Sequence, residues 1–243
     1  MQEIFRRSAL LLGPRAMEAL GEARVILFGV GGVGSWCAEG LVRSGLMHIT
    51  LVDADKVSLS NVNRQAMATT RTAGQVKVEA LRERLLEINP EAQVEVLQAV
   101  YSEENHGEFQ LDSYDYVVDA IDSLKDKASL ILRACESRAR FFSAMGAALK
   151  IDPTRVRVAE FWDVRGCPLG AALRKRFRKA GTLPAKRFLC VYDDEVLPNL
   201  GDASLQQSEG SFQKAAINGS LVPVTAIFGF TLAGLIIQDI YSR

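Results

Sequence analysis

Apolar residues in the first half of the chain follow two alternating patterns. Short unbroken runs rich in β-branched residues, of which "RVILFGV" at 24–30 is the clearest, read as parallel strands buried on both faces. Between such runs lie longer stretches with apolar positions at helical spacing. These are "SWCAEGLVRSG", then "GQVKVEALRERLLEINP" after a second strand in "HITLVDADKV", then "SLKDKASLILRACESRA". Asn89-Pro90 ends the second of these helices. "AQVEVLQA" supplies a third strand, "YDYVVDAID" a fourth and "RFFSAM" a fifth. Alternation of strand and helix predicts a Rossmann-like, mostly parallel α/β sheet with helices on both faces. Chemistry in such sheets gathers at the carboxyl ends of the strands.

Near residue 150 the pattern changes. "RVRVAEFWDV" has the character of an antiparallel strand added to the sheet. Residues 163–218 lack strong periodicity and hold much of the glycine, proline and charge. They read as a crossover excursion, partly mobile. The uncharged run "GSLVPVTAIFGFTLAGLII", 219–237, is long enough to cross a bilayer. It reads as a buried C-terminal helix with Pro223 in its first turn, membrane association being the alternative. The expected organisation is one domain over 1–243, with a nucleotide-binding core at 1–150, an insertion at 163–218 and a terminal helix at 219–243.

Composition narrows the function. At 243 residues the chain can bury a large core, and its formal net charge of zero requires any nucleic-acid contact to use a local patch. Cys37, Cys135, Cys167 and Cys190 form no C-x-x-C pair, which argues against structural zinc and for a reducing, cytoplasmic setting. The first residues carry charges inside their apolar stretch and no cleavage signature, unlike a secretory signal.

"GVGGVG" follows the first strand. Gly29, Gly31 and Gly34 satisfy G-x-G-x-x-G, and Asp53 closes the next strand, so the rule for dinucleotide sites is met. Gly32 adds an adjacent glycine and permits closer approach by a phosphate or by a group attacking it. Asp55, Ser60, Asn61, Asn63 and Arg64 follow in "VDADKVSLSNVNRQ", Lys77 starts the next helix, and Asp119 and Asp122 end the fourth strand. All follow strand ends and can meet at one mouth of the sheet. An arginine and a lysine to neutralise phosphate charge, with a carboxylate for magnesium, are parts for cutting a triphosphate, and hydride transfer needs none of them. Taken singly, Arg64 and Lys77 could be solvated surface and Asp122 a helix N-cap.

The series "GVGGVGSW", "LVDADKVSLSNVNRQ", "GQVKVE" and "VVDAIDS" resembles the ThiF-like adenylating family that includes ubiquitin-activating enzymes and the activators of sulfur-carrier proteins. The resemblance implies attack by a carboxylate on the α-phosphate of ATP, giving an acyl-adenylate and pyrophosphate. It implies that Gly32 receives the α-phosphate and Asp53 holds the ribose hydroxyls. Arg64 and Lys77 would stabilise the phosphates and Asp122 would bind Mg2+, with Asp55, Ser60, Asn61 and Ser123 beside the nucleotide. Arg7, in "RRSALLLG", matches an arginine that reaches the partner's site, which implies a homodimer. The zinc-binding cysteine pairs usual in sulfur-carrier activators are missing. "IDPTRVRV", "PLGAALRKRFRK", "CVYDDEVLP" and the terminal apolar run are instead similar to tRNA threonylcarbamoyladenosine dehydratases. That implies ATP-dependent cyclisation of the threonylcarbamoyl group at position 37 of tRNA, with adenylation of a Gly-Gly-ending carrier protein as the alternative. A monovalent cation and a sulfur-donor protein stand as further candidates; DNA does not.

Two stretches remain. Cys167 and Cys190 fall in or beside the excursion, where related enzymes place a transferring thiol, yet core filling is the commoner use of a cysteine between apolar neighbours. Arg174, Lys175, Arg176, Arg178, Lys179, Lys186 and Arg187 form an acid-free basic run. Such a run is either a solvated helix face or a patch for RNA phosphates.

Overall fold

A computed structural model describes residues 3–202 and 218–243, so the expectation of mobility for 203–217 falls outside the described residues. Seven strands form one sheet: β1 (Arg24–Phe28), β2 (His48–Val52), β3 (Gln93–Leu97), β4 (Tyr116–Asp119), β5 (Arg140–Ala144), β6 (Arg157–Glu160) and β7 (Leu189–Tyr192). Their order is β3-β2-β1-β4-β5-β7-β6. Every pairing is parallel except β6 with β7. The added strand is therefore antiparallel, as "RVRVAEFWDV" predicts, and the Rossmann-like class holds. β2 and β4 flank β1 from opposite sides in register, Phe28 lying level with both Val52 and Asp119. The chain order reverses at β1, and ligands of open parallel sheets bind at that point.

Helices cover both faces. α2 (Gly34–Ser44), α3 (Lys77–Ile88) and α6 (Val222–Tyr241) bury one face through Cys37, Leu41, Leu81, Leu85, Phe228 and Leu232. α4 (Leu124–Glu136) and α5 (Pro168–Ala180) bury the other through Leu130, Ile131, Leu173 and Phe177. The apolar C-terminal run is built into the first of these cores. A β-carbon on Gly229 would lie 2.4 Å from the Val33 carbonyl oxygen and 2.8 Å from the Cys37 nitrogen, so α6 crosses α2 at backbone contact. Tyr116 donates to Asp239 at 2.7 Å, and Arg140 pairs with the same carboxylate, tying the end of α6 to the sheet. Core burial accounts for the apolarity of one side, while Ile227 and Phe230 on the other remain exposed, and Pro223 stands in the first turn as expected.

Three elements differ from expectation. α1 (Arg6–Glu22) precedes the sheet and breaks at Gly13, whose φ of 77° lies outside the helical region. α5 and β7 lie inside the stretch read as aperiodic. In α5 only Gly170, Leu173 and Phe177 mark the buried face, at i, i+3 and i+7, and the cations between them mask that spacing. β7 has four residues, too few for a pattern of its own. The first strand also stops at Phe28, because Gly29 turns out of it at φ 85°.

Candidate active site

The glycine loop sits at the carboxyl end of β1. Gly29 has no room for a side chain, since a β-carbon there would be 2.7 Å from the Ala120 carbonyl oxygen; at Gly34 it would be 1.9 Å from the oxygen of Gly29. The loop therefore closes on itself and on the turn after β4. α2 begins directly after it, and its N-cap, Val33, supplies no side-chain acceptor. Of the first-turn amides, that of Ser35 donates to the Gly31 carbonyl at 3.1 Å; a helix start after a glycine loop is a common phosphate-binding arrangement. Ser35, fully buried, donates to the Gly31 oxygen at 2.7 Å and accepts from the Ala66 nitrogen at 3.0 Å. It joins this loop to the polar segment after β2.

That segment carries Arg64. Its short 3-10 turn is capped reciprocally by Ser58 and the buried Asn61. Ser58 and Ser60 share a hydroxyl contact of 2.8 Å. The Arg64 guanidinium donates to the Ser60 carbonyl and to Asn63 Oδ1, both at 2.9 Å, while Trp36 donates to the Arg64 carbonyl at 2.9 Å. The side-chain stem passes over Gly32, where a β-carbon would meet Cγ and Cδ at 3.2 and 3.3 Å. Partial burial lowers the Arg64 pKa, and the field of Asp122 opposes that shift. Asn61 and Ser60 thus build the turn that holds the arginine.

Gln65 lies next in this segment. Its side chain is buried and its Oε1 has no hydrogen-bond partner, while its Nε2 lies 4.0 Å from where a β-carbon on Gly31 would stand. A buried amide oxygen calls for a hydrogen-bond donor or a cation, which a phosphate group by itself does not supply. Gln65 was overlooked in the sequence because glutamine has no charge to flag it.

Lys77, the first residue of α3, is buried and pairs with Asp55 at 2.9 Å, and its own amide donates to the Asp55 carbonyl at 2.9 Å. Asp53 accepts from the Val30 nitrogen through Oδ2 and from the Asp55 nitrogen through Oδ1, both at 2.9 Å. Each oxygen retains a lone pair, so holding the loop and accepting ribose hydroxyls are compatible. Asp122 is exposed and does not cap α4. The cap is Ser123, whose hydroxyl oxygen accepts from the Asp126 nitrogen at 3.4 Å. No group of three or more His, Cys, Asp or Glu side chains that could hold a metal exists among the described residues. One carboxylate at a phosphate loop suits magnesium, which commonly binds through one or two carboxylates plus phosphates.

Outside this mouth, Arg7 is exposed on the first turn of α1. The basic run divides. Lys186 donates to the Ser137 and Ala139 carbonyls, and Arg174 donates to the Phe161 carbonyl at 3.1 Å over the Phe161 ring, so both are committed to the fold. Lys175, Arg176 and Lys179 are exposed; so is Arg178, which lies over the Trp162 ring, and Arg187, facing Glu160 at 3.8 Å. Phe177 packs inward. The N-terminal end of α5 touches Met145 and Gly146 beyond β5, so the exposed cations run away from the site rim along the helix.

At the switch point the glycine loop is thus accompanied by Arg64, held by the Ser60 carbonyl and Asn63, by Lys77, paired with Asp55, and by the exposed Asp122, a set of charges compatible with phosphate. The ThiF family model matches residues 5–242, and the chain belongs to that family. The chain is 38% identical over 254 residues to the tRNA threonylcarbamoyladenosine dehydratase of Escherichia coli K12, covering 98% of this chain and 94% of the relative. It is 36% identical over 232 residues to the dehydratase of that name from Bacillus subtilis 168, covering 96% and 90%. The crystal structure of the E. coli enzyme in complex with ATP superposes with a TM-score of 0.86 at 32% identity, covering 99% of this chain and 94% of that one.

All four cysteines are buried. Burial pushes the Cys135 thiol up to about 11 and also raises those of Cys37 and Cys190. Burial also keeps all four sulfurs from a substrate at the surface, so none is placed as a transferring nucleophile. A thiol reagent at pH 7.5 is expected to modify none of the four within minutes in the native protein and all of them after denaturation. Rapid native labelling of Cys167 or Cys190 would contradict this.

Proposed function

We propose that the chain is an ATP-dependent tRNA-modifying enzyme that cyclises N6-threonylcarbamoyladenosine through an acyl-adenylate. The threonyl carboxylate attacks the α-phosphate at Gly32 and pyrophosphate leaves. A neighbouring atom of the same substrate then attacks the activated carbonyl, its proton departs, and AMP is released with the carboxylate oxygen, for a net loss of water. Arg64 and Lys77 bind the phosphates and Asp53 the ribose. Asp122 would hold a magnesium ion, which neutralises charge developing on the phosphates. Asp193, fully buried with its Oδ2 unpartnered, is the group this reading assigns to a monovalent cation. No cysteine is exposed to take sulfur from a donor protein, and the reaction needs none.

The observation that carries this reading is the set Arg64, Lys77 and Asp122 around the glycine loop, in a chain similar to dehydratases along nearly its whole length. Adenylation of a sulfur-carrier protein is the less favoured alternative. Mass spectrometry of tRNA from cells lacking the protein should show the linear threonylcarbamoyl form in place of the cyclic one. Persistence of the cyclic form would overturn the assignment. ATP–pyrophosphate exchange driven by a Gly-Gly-ending protein, and not by modified tRNA, would favour the carrier-protein alternative.

Two further parts belong to the proposal. The tRNA, in the cytoplasm, lies along α5 with its phosphates on Lys175, Arg176, Arg178, Lys179 and Arg187. Replacing Lys175, Arg176 and Lys179 by Gln should lower the log–log salt slope of tRNA binding by about 2, at under one counterion per lost contact. Unchanged affinity and slope would remove α5 from the interface. The enzyme works as a homodimer in which Arg7 completes the partner's site. Mixing Arg7→Ala and Asp122→Asn subunits, each inactive alone, should then restore about a quarter of wild-type activity, since half the dimers carry one intact site. No recovery after subunit exchange would mean that Arg7 acts in cis or not at all.

A further inference from the structure

We infer that Lys127 is a positioning residue that fixes Asp122 through a buried ion pair with Asp119. The inference rests on the adenylation reading above and concerns residues to which that reading gives no role. Lys127 is in the first turn of α4 and Asp119 is the last residue of β4. Both side chains are fully buried, and Lys127 Nζ lies 2.8 Å from Asp119 Oδ2. The pair encloses one residue. Asp119 Oδ1 accepts from the Ile121 nitrogen at 3.0 Å, and Lys127 Nζ donates to the Ile121 carbonyl at 3.0 Å. Ser143, from β5, donates to Asp119 Oδ2 at 2.7 Å and fixes the carboxylate from the neighbouring strand.

Both backbone polar groups of Ile121 are therefore held by opposite ends of one ion pair, and the next residue is Asp122. On the other side stands Ala120, whose carbonyl meets the Gly29 turn. The same clamp thus sets the place of the metal-binding carboxylate and braces the phosphate loop. Stability alone is a weak reason to keep two full charges in a core, because an apolar pair of similar volume often serves as well. A clamp that accepts from the amide and donates to the carbonyl of one residue, and so fixes the two peptide units on either side of it, does what an apolar pair cannot.

The test uses the full-length Asp119→Asn/Lys127→Met double variant, which leaves no unpaired buried charge, with ATP affinity measured by calorimetry with and without magnesium. Wild type should bind ATP more tightly with magnesium. The double variant, still melting cooperatively, should lose about tenfold of that enhancement, as outer-shell groups of metal sites do, while metal-free ATP affinity changes far less. Amides of residues 120–122 should also exchange faster in the absence of nucleotide. Lys127→Arg, which keeps the charge and its donors, should retain most of the enhancement. If the double variant does not fold, the isosteric Asp119→Asn must lower the enhancement by itself. A folded variant with wild-type enhancement and wild-type exchange overturns the inference alone. A wild-type protein that gains nothing from magnesium overturns the adenylation reading and the inference with it.

Discussion

The carbonyl oxygen of Ala120 occupies the space that a side chain on Gly29 would need, 2.7 Å from the β-carbon position. Two backbones meet there, one leaving β1 for the glycine loop and one leaving β4 for α4. Any larger residue at 29 would force them apart, and its φ of 85° would add strain. The functional side chains hang from this closure. Asp53 reaches it through the Val30 amide and Ser35 through the Gly31 carbonyl. The Asp119–Lys127 pair reaches it through Ile121. The site is thus organised by main-chain contact first and by charge second.

Charge is laid out so that each cation is already held. Lys77 rests on Asp55, and Arg64 is oriented by the Ser60 carbonyl and Asn63. Donors whose direction is set in advance are the condition under which electrostatic stabilisation acts most strongly. The exposed Asp122 carboxylate has the opposite property. Its backbone is clamped while its side chain is free to take a ligand.

Features carried by pattern were legible in the sequence. Continuous apolar strands, amphipathic helices and a glycine loop at their first junction identify the sheet and its active rim, since burial and phosphate approach each impose a residue type at a fixed spacing. Arg64, Lys77 and Asp122 were legible as charges after strand ends. Features made by tertiary pairing were not. The Asp119–Lys127 clamp joins the end of a strand to a helix that otherwise reads as amphipathic surface. Ser35 acts through a single hydroxyl, which donates to one loop and accepts from the next. α5 hid because three buried positions were outnumbered by exposed cations. Lys186 and Arg174 looked like their neighbours in the basic run, and only the packing separates cations that bind backbone carbonyls from cations that face solvent.

Burial of every cysteine bears on the chemistry as well as the fold. An adenylating enzyme that hands its acyl group to a second molecule has use for a thiol to carry it. Ring closure within one substrate has no such need, because the nucleophile is tethered to the activated carbonyl and its effective concentration far exceeds that of a free group in solution. What the protein must then supply is activation of the carboxylate and a fixed place for the nucleotide that bears it. The first task belongs to the rim of β1 and β4. α5 leaves the neighbourhood of that rim with its cations outward: its N-terminal turn packs against Met145 and Gly146, and Lys175, Arg176, Arg178 and Lys179 are exposed on the turns beyond. The polarity of the helix matters here. Arg178 and Lys179 in its last turn complement its negative end and so stabilise the helix that presents them.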